Sequence, residues 1–201
     1  MKTSRVRIVK MGGSLLDYDD LPNAWEDWIT RQPELPTVIV VGGGPFVDQV
    51  RSWDGQYPLG EETAHWMCVR AMAITAVFLQ QRLPGTSLVQ EWADLKRQLA
   101  EESPVTPRVF SVESFLRSVE PELAGTPLPC SWDVTSDSIA ARIAEVLAAR
   151  ELVLCKSISL DAVGNWHDQA KAGHVDNHFP VIADNIASIR WLNLRCTGVI
   201  S

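Results

Sequence analysis

The fold class this sequence predicts is α/β: a three-layer α/β/α sandwich around a mainly parallel sheet. Three observations carry the prediction. Apolar β-branched runs alternate with segments of helical periodicity along the whole chain. Residues 38–41 form an unbroken β-branched run, as suits a strand covered on both faces. Two strand ends carry glycine clusters, Lys10-Met11-Gly12-Gly13-Ser14 and Gly42-Gly43-Gly44-Pro45, and open α/β sheets bind ligands at such ends.

The elements follow in order. A strand is read over residues 5–11 from Val6, Ile8 and Val9, and a helix over 23–32 with Asn23 as N-cap. The run at 38–41 is the second strand; a helix over 45–53 follows, with Pro45 in its first turn. The apolar-rich stretch 60–82 reads as a long buried helix ended by Pro84-Gly85. Then come a helix over 90–102, a short strand within 103–110, and a helix over 111–119 capped by Ser111. A proline-rich loop leads to an amphipathic helix over 136–150 with Ser136 as cap. The end of the chain reads as a strand at 151–157, a loop holding His167, His174 and His178, a helix at 180–188 and a strand at 189–196. No repeat or linker interrupts this, so residues 1–201 read as one domain.

Composition narrows the function classes. A net charge of −7 argues against a nucleic-acid partner, while a local cationic pocket for an anionic small molecule needs only two or three side chains. Cys68, Cys130, Cys155 and Cys196 form no Cys-x-x-Cys pair, which points to thiols in a reducing compartment rather than zinc or disulfides. The first residues lack a signal-peptide core, and no run approaches the roughly 18 apolar residues of a membrane span. The expectation is a cytoplasmic protein with no membrane partner. The eight tryptophans read mainly as core or interface anchors, with one or two at a pocket wall as the alternative.

Glycine lets backbone N–H groups approach an anion closely, and a helix start adds a positive dipole end. Two such clusters, with Lys10 beside the first, point to phosphate; a pair of tight turns is the plainer alternative. Neither is a Gly-Lys-Ser/Thr P-loop nor a Gly-x-Gly-x-x-Gly fingerprint. In Ser131-Trp132-Asp133-Val134-Thr135-Ser136-Asp137-Ser138 the carboxylates Asp133 and Asp137 stand at a helix start. They are either caps or, for one of them, an acid that orients a lysine in phosphoryl transfer. His167, His174 and His178 lie near Asp168 and Asp176, but glycine and proline bound the segment, so no metal ligand set is assigned. Arg51 and Arg70 read as surface residues that could reach an anionic substrate. Ser14 has no neighbouring acid–base pair that would make it a nucleophile.

In this order, Lys10-Met11-Gly12-Gly13-Ser14, Gly42-Gly43-Gly44 and Thr135-Ser136-Asp137-Ser138 resemble the amino acid kinase family. The Cys130–Ser138 segment, the helix around His65 and Val175–Pro180 resemble a small branch that phosphorylates an aminomethyl-furan-methyl phosphate in methanofuran biosynthesis. The resemblance implies an ATP-dependent kinase with Mg2+ bridging the nucleotide oxygens, a small anionic acceptor and a homo-oligomer. The acceptor-binding part would span residues about 1–130, and a shortened nucleotide-binding part about 131–201. It implies that Lys10 stabilises the transferring phosphoryl group and that Asp137 orients Lys10. Gly12, Gly13 and Ser14 would hold ATP phosphates; Gly42, Gly43, Gly44, His65, Asp133 and Ser136 would face the acceptor. The chain departs from the family at Cys155–Gly164, where Lys156 and Ser157 replace a Thr-Asp step and would grip phosphate instead. It departs again at Val181, where a second catalytic lysine is usual, leaving Lys156 or Lys171 to substitute. A non-catalytic binder of an anion or nucleotide, and a kinase acting on a carboxylate, carbamate or nucleoside monophosphate, stand as the rival readings. Trp66 and Phe78 on the long helix mark the expected subunit interface.

Overall fold

The computed structural model describes residues 5–101, 106–160 and 164–196. Its strands are β1 (Arg7–Met11), β2 (Thr37–Val41), β3 (Ser87–Val89), β4 (Arg108–Phe110), β5 (Glu151–Lys156) and β6 (Ile189–Asn193). Its helices are α1 (Leu21–Thr30), α2 (Pro45–Gln56), α3 (Glu61–Arg82), α4 (Trp92–Ala100), α5 (Glu113–Ser118), α6 (Ser136–Val146), α7 (Trp166–Lys171) and α8 (Phe179–Ala183). The six strands form one sheet in the order β3-β4-β2-β1-β5-β6, and every pairing is parallel.

Every residue of β1 and β2 is buried, because helices cover both faces. Side chains alternate between the faces. Ile8, Val38, Val40, Leu152 and Leu154 pack with Ile139 and Ile143 of α6, Phe179 and Ile182 of α8, and Trp92, Phe115 and Leu116 of α4 and α5. Val9, Met11, Ile39, Val41, Val153 and Cys155 pack on the other side with Trp25 and Trp28 of α1. Helix α3 serves both cores, giving Val69 and Met72 to the first and Ala76 and Leu79 to the second. These four positions form one stripe at helical spacing, and the apolar residues on the opposite side, Ile74, Val77 and Phe78, are exposed. By the same alternation Lys10 shares a face with Ile8, and Lys156 with Leu154, so both lysines point toward α6.

Several local expectations shift. Helix α1 begins at Leu21, and Asn23 donates to the Oδ1 of Asp20 at 2.6 Å instead of capping the helix. Helix α5 begins at Glu113 with Val112 as its cap position; Ser111 is buried and Ser114 donates to the Gln90 carbonyl. Thr135, not Ser136, caps α6, which ends at Val146 rather than 150. Strand β3 has no counterpart among the sequence expectations, since three residues give too short a pattern to register. Residues 166–171, read as loop, form α7, capped by the Asn165 side chain on the N–H of His167. The helix read over 180–188 is the shorter α8. The reading over 103–110 falls partly on residues 102–105, outside the described residues; β4 covers its end.

Candidate active site

The carboxyl ends of β1 and β2 bring the glycine clusters together. The Gly12 N–H donates to the Cys155 carbonyl and the Gly42 N–H to the Met11 carbonyl, each at 2.9 Å, so both turns are pinned to strand ends. A Cβ on Gly13 would stand 2.5 Å from the Gly44 nitrogen, and one on Gly42 would meet the Ser136 Oγ and the Gly13 nitrogen at 3.0 Å. Gly44 has φ +55°, a region that favours glycine. The backbones of the two turns therefore touch, and the start of α6 closes against them.

Under this junction lies a charged cluster. Lys10 Nζ is 3.0 Å from Asp137 Oδ1, and Lys156 Nζ donates to Asp137 Oδ2 at 2.9 Å. Lys156 also donates to the His174 carbonyl at 2.8 Å, and its ammonium faces the Trp191 ring at 5.4 Å. Burial pushes the Asp137 carboxyl up, but the two ammoniums outweigh it and hold the group below its ordinary value. Burial, then the Lys10 charge, draws Lys156 down to about 8 against the pull of Asp137. One carboxylate thus holds two cations side by side, at the carboxyl ends of β1 and β5.

A cavity of about 800 Å³ opens beside this cluster, floored by Gly13, Ser14, Gly42, Gly43, Gly44 and Ser136. Its walls include His65, Met72, Phe78 and Trp132, with Arg51 and Asp48 also lining it. Burial keeps His65 below its ordinary value, opposed by a hydrogen bond with the Ser131 backbone, so the ring facing the cavity is mainly neutral at pH 7. Trp132 is fixed by its indole N–H, which donates to Asp54 Oδ2 at 2.8 Å, while the Arg51 guanidinium covers its ring at 5.1 Å.

Most residues singled out from sequence converge. Lys10, Asp137 and Lys156 form the cluster; Gly13, Ser14, Gly42, Gly43, Gly44, His65 and Ser136 line the cavity; Gly12 lies at the β5 side of the junction. Ser157 reaches the site through a 2.9 Å contact between its Oγ and that of Ser14. Asp133 does not join them: it is exposed, does not line the cavity, and accepts from Asn177 Nδ2 at 2.8 Å. Lys171 is also elsewhere, its side chain 80% exposed and near Asp168, and Val181 is exposed on α8. Of the segment following Lys156, residues 161–163 lie outside the described residues.

The two carboxylates at the start of α6 and beside it are already engaged and do not make a cage for Mg2+. Asp137 is held between two ammoniums, and Asp176 accepts hydrogen bonds from Thr135, Ser138 and Phe179. Among the described residues no three His, Cys, Asp or Glu side chains stand together as a metal site. His174 bonds Gln169, and His178 meets the Pro127 carbonyl.

The model of the amino acid kinase family matches residues 5–171. The chain belongs to the amino acid kinase family. It is 24% identical over 189 residues to a [5-(aminomethyl)furan-3-yl]methyl phosphate kinase of Methanocaldococcus jannaschii, covering 88% of this chain and 82% of the relative. The fold is similar to that of a Bacillus anthracis UMP kinase, with TM-score 0.65, 13% identity and coverage of 98% and 90% of the two chains. An Archaeoglobus fulgidus uridylate kinase gives TM-score 0.61 at 14% identity, covering 94% and 92%. A Giardia lamblia carbamate kinase bound to AMP-PNP gives 0.53 at 11%, covering 96% and 94%.

Within this amino acid kinase fold, sequence reasoning missed the Asp54–Trp132 bond and the grip of Asp176 on α6. Both join residues far apart in sequence, 78 and 38–41 positions. Periodicity has no signal for such pairs. The segment holding Asp176 stands out in sequence only through the Val175–Pro180 resemblance and its histidines, neither of which points to α6.

Proposed function

We propose that the protein is an ATP-dependent small-molecule kinase acting on an already phosphorylated acceptor. The observation that carries the reading is the pair of buried lysines on Asp137, set under the joined glycine turns and next to a cavity. Phosphoryl transfer asks a protein chiefly for positioning and for cations near the moving charge. An acceptor phosphate oxygen would form a bond to the γ-phosphorus as the bond from that phosphorus to the bridging oxygen breaks, and the electron pair would leave on ADP. An ionised phosphate needs no base to deprotonate it, so the reading asks for no proton acceptor in the cavity.

In this reading Lys10 and Lys156 neutralise the oxygens of the moving group, and Asp137 keeps the two ammoniums in place. Gly12, Gly13, Ser14 and Ser157 serve the donor; Gly42, Gly43, Gly44, His65 and Ser136 serve the acceptor. Mg2+ would be held by the nucleotide's own oxygens. The furan-phosphate kinase relative makes an aminomethyl-furan-methyl phosphate the first acceptor to try, and the size of the cavity and its Trp132 wall agree with a small ring. No described helix is long and apolar enough to cross a membrane, and a cytoplasmic location belongs to the same proposal. So does a homo-oligomer, favoured by Ile74, Val77 and Phe78 exposed along α3. Trp66 is only partly exposed and lies under Arg117, whose guanidinium is 4.0 Å from its ring centroid.

The test is calorimetric titration with ATP and Mg2+ on the wild type and Lys156→Ala. ADP release would then be measured with [5-(aminomethyl)furan-3-yl]methyl phosphate, uridine monophosphate and carbamate. The expected result is Mg2+-dependent binding weakened by Lys156→Ala, with turnover on a phosphate ester. No binding at millimolar ATP would overturn the kinase reading in favour of an anion-binding protein.

A further inference from the structure

The segment between α7 and α8 touches the lysine cluster from two directions. The His174 carbonyl takes a hydrogen bond from Lys156 Nζ at 2.8 Å. Two residues on, Asp176 takes hold of the first turn of α6. Its Oδ2 accepts from the Thr135 N–H and Oγ1, both at 2.8 Å, and from the Ser138 N–H at 3.0 Å. Its Oδ1 accepts from the Ser138 hydroxyl and, at 2.9 Å, from the Phe179 N–H. Thr135 Oγ1, which donates to Asp176, in turn receives the Asp137 N–H at 3.5 Å. The residue before Ser136 and the residue after Asp137 are thus tied to one carboxylate, and the catalytic aspartate sits between the ties.

This goes beyond what a helix start requires. The Thr135 hydroxyl already caps α6, and Asp176 adds a second, buried acceptor that ties this helix start to the segment carrying the His174 carbonyl. The carboxylate also takes N–H groups at the helix start that a ligand phosphate would otherwise use. Phosphates at this site are therefore left to the glycine turns and the lysines. Burial, then the nearby charge of Asp137, raises Asp176 above its ordinary value, against the pull of the Ser138 and Thr135 hydrogen bonds.

We propose that Asp176 is a positioning residue: with the His174 carbonyl it fixes the two halves of the cluster, Lys156 and Asp137, against each other. It touches neither lysine and acts through Thr135 and Ser138. The inference rests on the kinase reading for its kinetic consequence, but its structural consequence can be read without turnover.

The test compares Asp176→Asn with Glu145→Gln, a change at the far end of α6 that breaks a 2.6 Å ion pair with Arg142 and serves as a control for lost stability. In protein labelled at the lysine ε-carbons, Asp176→Asn should displace the Lys10 and Lys156 resonances and leave Lys96 and Lys171 in place; Glu145→Gln should displace none of the four. With a competent acceptor, Asp176→Asn should lower kcat about ten- to a hundredfold with both KM values within about threefold. Unmoved Lys10 and Lys156 resonances, or an unchanged kcat with a raised KM, would overturn the proposal. If the wild type transfers no phosphoryl group to any acceptor, the kinase reading fails alone and the resonances decide this one. If Asp176→Asn does not fold, Ser138→Ala removes one donor to the same carboxylate, and the same readouts decide with about a threefold fall in kcat.

Discussion

Lys10 on β1 and Lys156 on β5 take opposite oxygens of one buried carboxylate, that of Asp137. The parallel register explains how. Lys10 pairs with Leu154, so Lys156 lies one side-chain repeat further along the neighbouring strand, on the same face. Neither lysine is replaceable by the other, because each holds a different oxygen and each relieves the burial of Asp137.

The first prediction concerns Lys10. Lys10→Met keeps the length and apolar stem of the side chain and removes the charge. It leaves Asp137 with one ammonium and the moving phosphoryl oxygens with one cation fewer. We expect kcat to fall about a hundred- to a thousandfold, measured as ADP release, with the protein still folded by circular dichroism. Full turnover in this variant would remove Lys10 from the chemistry.

Lys156 makes a second prediction, in pH. Its folded value, about 8, lies below its ordinary 10.5. Between these values the unfolded chain binds more protons than the folded one, so this group's contribution to stability rises with pH from about 8 to 10.5. Activity moves the other way, since the cation is lost over that window. We expect kcat to decline above about pH 8, and Lys156→Arg, which stays charged, to lack that limb. A wild-type profile flat to pH 10 would contradict this role for Lys156.

The sequence made the layers and the two glycine turns legible because each is written in a local run: β-branched strands, a helix period, a glycine cluster after a strand. The Lys10–Asp137 pairing was reachable only through resemblance, since the two residues stand 127 positions apart in numbering. Lys156 was noticed as a departure, and its place beside Lys10 depends on β1–β5 pairing, which no local pattern encodes. The exposure of Asp133 was not legible, because a carboxylate three residues before a helix start looks the same in sequence whether it faces a cavity or solvent. Helix α7 was hidden by its six-residue length and its polar sides.

Backbone contact between the glycine turns gives a third prediction. A Cβ at position 13 would meet the Gly44 nitrogen at 2.5 Å and its Cα at 2.7 Å. No side-chain rotation relieves a clash with backbone. Gly13→Ala should cost about 1–3 kcal/mol, seen as a lower Tm, and abolish turnover. Gly55→Ala, inside α2 with nothing within 4 Å of the new methyl group, should instead stabilise by about 0.5–1 kcal/mol. Equal shifts at the two positions would mean that the turns do not touch.

Arg142 carries a fourth. Its side chain is buried, paired with Glu120 and Glu145, and donates to the Leu123 and Ala124 carbonyls. It fastens the loop that leads toward Trp132 onto α6. Arg142→Met leaves Glu120 buried without its cation, and breaking one side of such a pair costs about 3–5 kcal/mol. Urea denaturation should show that loss, and a change below 1 kcal/mol would assign the loop's attachment to its apolar contacts instead.

The last prediction separates the acceptor side from the donor side. Trp132 stands in the cavity wall because Asp54 accepts its indole N–H at 2.8 Å, and the other Asp54 oxygen is fixed by the Leu59 N–H at 2.9 Å. Asp54→Ala frees the indole and leaves the end of α2 without its tie, yet touches no residue of the lysine cluster. The wall against which a ring would lie is then free to turn. The KM for the acceptor should rise about five- to thirtyfold, as expected for loss of about one to two kcal/mol of fixed contact, while the KM for ATP stays within about twofold. A proportional rise in both would mean that Asp54 supports the whole site. A rise for ATP alone would put the donor in this cavity and reverse the assignment of its two sides.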